Sequence, residues 1–82
     1  MVGKIDHIGI AVSNLDEAVK LYRDVLGLEL HGTEVVPAHN VKVAFLPVGD
    51  TEAELLESTS ADGPIAKMIE ATGQGIQHIA VR

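Results

Sequence analysis

Eighty-two residues carry a net charge of −6, with 46% apolar residues, 2% aromatics and no cysteine. That length allows one small domain with thin stability reserve, its core built from Val, Leu, Ile and Ala with Phe45 and Tyr22 as isolated large fillers. The composition excludes disulfides, thiolate metal sites and a cysteine nucleophile, and its acidic balance opposes nucleic-acid binding, which needs a basic stripe.

No apolar run approaches the ~20 residues that span a bilayer, and the N-terminus lacks the basic-then-apolar pattern of a signal peptide. A cytoplasmic protein with no membrane partner is the expectation. Ile5–Val12 alternates as a strand with two unlike faces. Asp6, Ile8, Ile10 and Val12 take one face, while Ile5, His7, Gly9 and Ala11 take the other. The branched face suits packing under a helix, and the small residues around His7 leave room above the sheet. Asn14 with Glu17 three residues later makes a capping box. Leu15, Ala18, Val19, Tyr22, Val25 and Leu26 then form the apolar stripe of a helix that should stop at Gly27. Leu28–Val36 reads as a strand interrupted at Gly32, and Pro37–Asn40 as a turn. Val41–Pro47 reads as a third strand. Glu52–Glu57 is a fourth, on which Glu52, Glu54 and Leu56 share a face. Ser58–Gly63 is a loop. Pro64 opens a short helix carrying Ile65, Met68 and Ile69, and Ile76–Arg82 closes as a strand. This order predicts an α+β fold, with one helix over one face of a four-stranded sheet and the face carrying His7 left open.

The last strand repeats the first. Ile5-Asp6-His7-Ile8-Gly9-Ile10-Ala11 aligns with Ile76-Gln77-His78-Ile79-Ala80-Val81-Arg82, with the histidines in register. The chain therefore divides into a βαβββ module (1–58), a linker with a short helix (59–75), and the first strand of a second module (76–82).

His7, Glu54 and His78 carry the candidate chemistry. Two imidazoles and a carboxylate suit zinc, cobalt, manganese, nickel or iron, and ligands from different strands can converge on one side of a curved sheet. The same residues also suit a strand histidine bonded to a backbone carbonyl beside a solvated carboxylate. His31 and His39 lie near turns and read as solvent-exposed. Asp24 and Asp62 read as surface or capping residues. Gly73-Gln74-Gly75 is no phosphate loop, since it lacks the Lys-Ser/Thr partner.

Lys4–Val12, Leu15–Ala18 and Tyr22–Gly27 resemble the first module of the vicinal-oxygen-chelate (glyoxalase/bleomycin-resistance/dioxygenase) superfamily. Val41–Gly49, Glu54–Glu57, Ser60–Lys67 and Gly75–Ala80 are similar to methylmalonyl-CoA epimerases in particular. The resemblance implies two βαβββ modules forming a cupped sheet around one divalent metal ion. It assigns His7, Glu54 and His78 as metal ligands and puts a fourth, a Glu linked to proton transfer, beyond Arg82. Some members carry a carboxylate where this chain has Val43, so the catalytic base stays unknown. Gln77 stands where many members have a further His. The implied activity is that of a truncated isomerase: metal-assisted proton abstraction alpha to a CoA thioester, interconverting methylmalonyl-CoA epimers, in a homodimer. Lys42, Lys67 and Arg82 could meet CoA phosphates, although a solvated face explains them as well. The alternatives are a non-catalytic half-module that binds a metal or small ligand and self-associates, and another superfamily enzyme such as a glyoxalase or an extradiol-type dioxygenase.

Overall fold

Period-2 alternation produces five strands, β1 (Ile5–Ala11), β2 (Gly32–Val36), β3 (Val41–Val48), β4 (Thr51–Ser58) and β5 (Gly75–Val81), with helices α1 (Leu15–Lys20) and α2 (Pro64–Thr72). The structure is a computed structural model that describes residues 2–82. The strands form one mixed sheet in the order β2-β3-β4-β1-β5. β3 is antiparallel to both its neighbours, β1 runs parallel to β4, and β5 folds back antiparallel on β1. The parallel β1–β4 pair requires a crossover, which α1 begins. Pro47 is tolerated within β3 because the pairing with β2 ends at Phe45.

One face of the sheet buries Val12, Ala44, Leu46, Ala53 and Leu55 against Leu15 and Val19 of α1. The predicted cap is present: the Asn14 Oδ1 accepts the Glu17 N–H at 3.0 Å. The Glu57 carboxylate accepts the Leu15 N–H and ties the helix start to β4.

Four expectations are corrected. The sheet has five strands and not four, because β5 pairs with the free edge of β1. The first helix does not continue as one α-helix to Leu26, because Leu21–Val25 widens into a π-helical turn. The Leu28 N–H then closes the end on the Tyr22 carbonyl at 3.1 Å, across Gly27 at φ 77°. Val25 and Leu26 run past the sheet and stay exposed, whereas Tyr22 packs on the core. The second strand starts at Gly32, because Leu28 and Leu30 pack against the α1-side core instead of pairing in the sheet. The His7 face is also not left open along its whole length. α2 lies on it, burying Ile65 with Met68 and Ile69 against Ala11, Val41, Val43 and Leu56. The apolar strip on β3 and β4 is too costly to leave in water, so the second helix covers that end.

Candidate metal centre

Three strands bring the predicted ligands around one glycine. Gly9 of β1 pairs with Glu54 on β4 and with His78 on β5. A Cβ at Gly9 would fall 2.3 Å from His78 Cε1, so only glycine lets that ring lie across β1. The two imidazoles then meet edge to face, with centroids 5.1 Å apart at 86°. Their Nε2 atoms are 3.1 Å apart. The Glu54 Oε2 lies 3.7 Å from the other nitrogen of His7, Nδ1.

The protonation of the pair follows from its neighbours. His7 Nδ1–H donates to Asp6 Oδ2 at 2.9 Å, and Asp6 Oδ1 accepts from Arg82 Nε at 2.7 Å. His78 Nδ1–H donates to Gln77 Oε1. With both Nδ1 atoms protonated, two Nε2 lone pairs face one another, an arrangement that calls for a shared proton or cation. Turning over the Gln77 amide would let His78 donate Nε2–H to His7 instead, but the Asp6 carboxylate has no such alternative. The hydrogen bond from His7, and then the one from Arg82, holds the Asp6 carboxyl below its ordinary range. Burial is the main cause that raises Glu54 above its ordinary range.

The imidazole pair fits a metal ion. Tetrahedral zinc with bonds of ~2.1 Å places two ligand nitrogens about 3.4 Å apart, so the Nε2 atoms at 3.1 Å need move only a few tenths of an ångström to share an ion. Glu54 does not stand with them, and among the described residues no group of three ligating side chains converges. Beside Glu54 and His78 opens a cavity of about 340 Å³ walled by Val41, Val43, Leu56 and Ile65. Val43 is 5% exposed, which makes that wall apolar. A larger cleft of about 420 Å³ lies between α1 and Gln74, but Glu17 is its one carboxylate and no histidine lines it.

His31 and His39 are exposed, and His39 also borders the cavity. Arg82 is exposed, as a solvated cation should be, and it also pairs with Asp6. Sequence reasoning missed Asp6, Gly9 and Gln77 as parts of this centre. Their adjacency to His7 and His78, and the alignment of Asp6 with Gln77 in the repeat, were the available signals.

The fold and the sequence comparison together define the class: residues 6–82 match the Glyoxalase/Bleomycin resistance protein/Dioxygenase superfamily, and the chain belongs to it. An uncharacterised Bacillus subtilis protein, YqjC, is 42% identical over 96% of this chain and 56% of its own length. An ethylmalonyl-CoA/methylmalonyl-CoA epimerase of Cereibacter sphaeroides is 38% identical over 96% of this chain and 60% of its own. A solved methylmalonyl-CoA epimerase in complex with methylmalonyl-CoA and ammonium superposes with a TM-score of 0.93 at 37% identity, over 99% of this chain and 60% of that one. The chain thus spans a little over half the length of these relatives. Among the described residues no helix is long and apolar enough to cross a membrane.

Proposed function

We propose that this chain is a methylmalonyl-CoA epimerase-like module that holds a divalent metal ion with His7 and His78 and binds a CoA thioester beside them. The observation that carries the reading is the pair of Nε2 atoms facing each other at 3.1 Å from adjacent strands. Glu54 is the third donor and joins by a change of rotamer from its place beside His7 Nδ1. When bound, the ion would supply Lewis acidity toward the thioester carbonyl as negative charge develops on it. The cavity walled by Val43 and Ile65 suits the alkyl part of the acyl group and excludes water from the carbon that loses its proton. Val43 leaves no carboxylate on that wall, and with Glu54 given to the metal the proton acceptor comes from outside these residues.

The pairing of β5 with β1 within one chain favours a site built in cis, with one metal per chain, over one built from His7 and Glu54 of two chains. Ile76, Ile79 and Val81 are all more than half exposed on β5, and a second copy is the partner that suits this apolar edge.

Native mass spectrometry on cobalt-loaded protein tests both points. One metal per chain, with exchange of the alpha hydrogen of methylmalonyl-CoA into deuterated solvent, is the expected result. One metal per dimer would transfer the site to the interface. Metal binding without exchange would favour the non-catalytic half-module. No metal on any species would remove the proposal.

A further inference from the structure

We propose that the residue preceding each histidine is its positioning residue. Asp6, gripped by Arg82, fixes His7 as the Nδ1–H tautomer, and Gln77 does the same for His78, so that both Nε2 lone pairs are presented to one point. The inference rests on the reading of the pair as metal donors.

In an unbroken strand the preceding side chain points to the opposite face and cannot reach its neighbour's ring. The β1–β5 ladder is broken between Ile5 and His7, and Asp6 has no partner opposite it. Such a bulge re-aims a side chain, and here it brings Asp6 Oδ2 to 2.9 Å from His7 Nδ1. The other oxygen is held by Arg82 from the far end of β5. The backbone of Arg82 is itself fastened to β1's approach, accepting from the Gly3 N–H at 2.7 Å and donating to the Lys4 carbonyl at 3.0 Å. Asp6 is therefore fixed from both sides. Which imidazole nitrogen is free for a metal depends on the bond the other nitrogen makes. A carboxylate in that place also orients the ring and raises its basicity. The repeat puts Gln77 in the same relation to His78, with a neutral amide for the carboxylate. A charge-assisted bond is the stronger of the two, so the His7 half carries more of the effect.

The test is the tautomer of His7 in metal-free protein labelled with nitrogen-15 at histidine, read from long-range proton–nitrogen spectra at a pH where the imidazoles are neutral. Wild type should show Nδ1–H. Asp6→Ala should shift His7 toward Nε2–H, whereas Asp6→Asn, whose amide oxygen can still accept, should keep Nδ1–H. Cobalt affinity should fall about 10- to 100-fold in Asp6→Ala, and less in Asp6→Asn and Gln77→Ala. If Asp6→Ala does not fold, Asp6→Thr keeps a strand-forming residue without the reach and is read in the same way. A wild-type His7 found as Nε2–H, or a tautomer unmoved by loss of the carboxylate, overturns the proposal. Wild type that shows the Asp6-dependent Nδ1–H but binds no cobalt would remove the metal-site reading and leave the positioning role standing.

Discussion

Gly9 and Glu54 show how single residues set this centre. The hydrogen at Gly9 is the space His78 occupies, and a methyl group there would overlap the ring at 2.3 Å from Cε1. Gly9→Ala should push the His78 ring aside, separate the imidazoles and abolish tight cobalt binding at a stability cost below about 1 kcal/mol, since the clash is with the end of a partly exposed side chain that can turn away. Chemical denaturation and a cobalt titration check this, and an alanine variant that binds as wild type would refute the close-approach account. Glu54 acts through its charge. Burial raises its carboxyl pKa, so the native state holds that proton more tightly than the unfolded chain. Its contribution to stability is therefore lost as pH rises from the ordinary carboxylate range through the raised value. Asp6 is shifted the opposite way, so its contribution is present at neutral pH and lost as pH falls through its lowered value, but it is common to wild type and a Glu54 variant. Metal-free Glu54→Gln should be more stable than wild type at pH 7 by less than about 1 kcal/mol, since water still reaches the carboxylate. The difference should vanish in acid. Parallel melts across pH measure it, and with cobalt present the order should reverse.

Among the elements, α2 decides how much of the second face is free. Its Ile65 is 5% exposed against Ala11, Val41, Val43 and Leu56, and its removal would both open a void and loosen the cavity wall. Ile65→Ala should lose about 2–4 kcal/mol, a large part of the stability of a domain this small. Urea unfolding gives the value. A loss under about 0.5 kcal/mol, the size of an ordinary surface change, would mean that α2 does not cover this face in solution. The helix at the other face is anchored differently, by the Asn14 cap and the Glu57 carboxylate at its first turn. Both anchors act at the N-terminus, and the opposite end relaxes into the π-helical turn.

At the scale of the whole molecule, β5 is the strand whose apolar side chains stay exposed. α1 packs over β3 and β4, so the apolar residues of β5 lie bare: Ile79 and Val81 are each 54% exposed. In the repeat they correspond to Ile8 and Ile10, the latter packed on the α1-side core. A charge at Ile79 would oppose any apolar partner, and Ile79→Lys should convert the expected dimer to a monomer in sedimentation equilibrium while leaving the fold intact. A variant that sediments as wild type would place the contact elsewhere or show that there is none.

By itself the sequence determined the α+β order, the Asn14 cap, the core stripe through Leu15 and Val19, and the two matching histidine strands. Each of these is written in local periodicity or in short spacing, and local sterics and burial read it out directly. Only the tertiary structure decided that α2 folds onto the His7 face, that β5 lies beside β1, and that Asp6 turns toward His7. None of those has a local period. They depend on which apolar surface remains after the first core is filled, and on a break in the ladder that overrides strict alternation. Gly9 belongs to both accounts. It is visible in the sequence as a small residue beside a histidine, but the reason for it appears only when another strand lays a second imidazole across it.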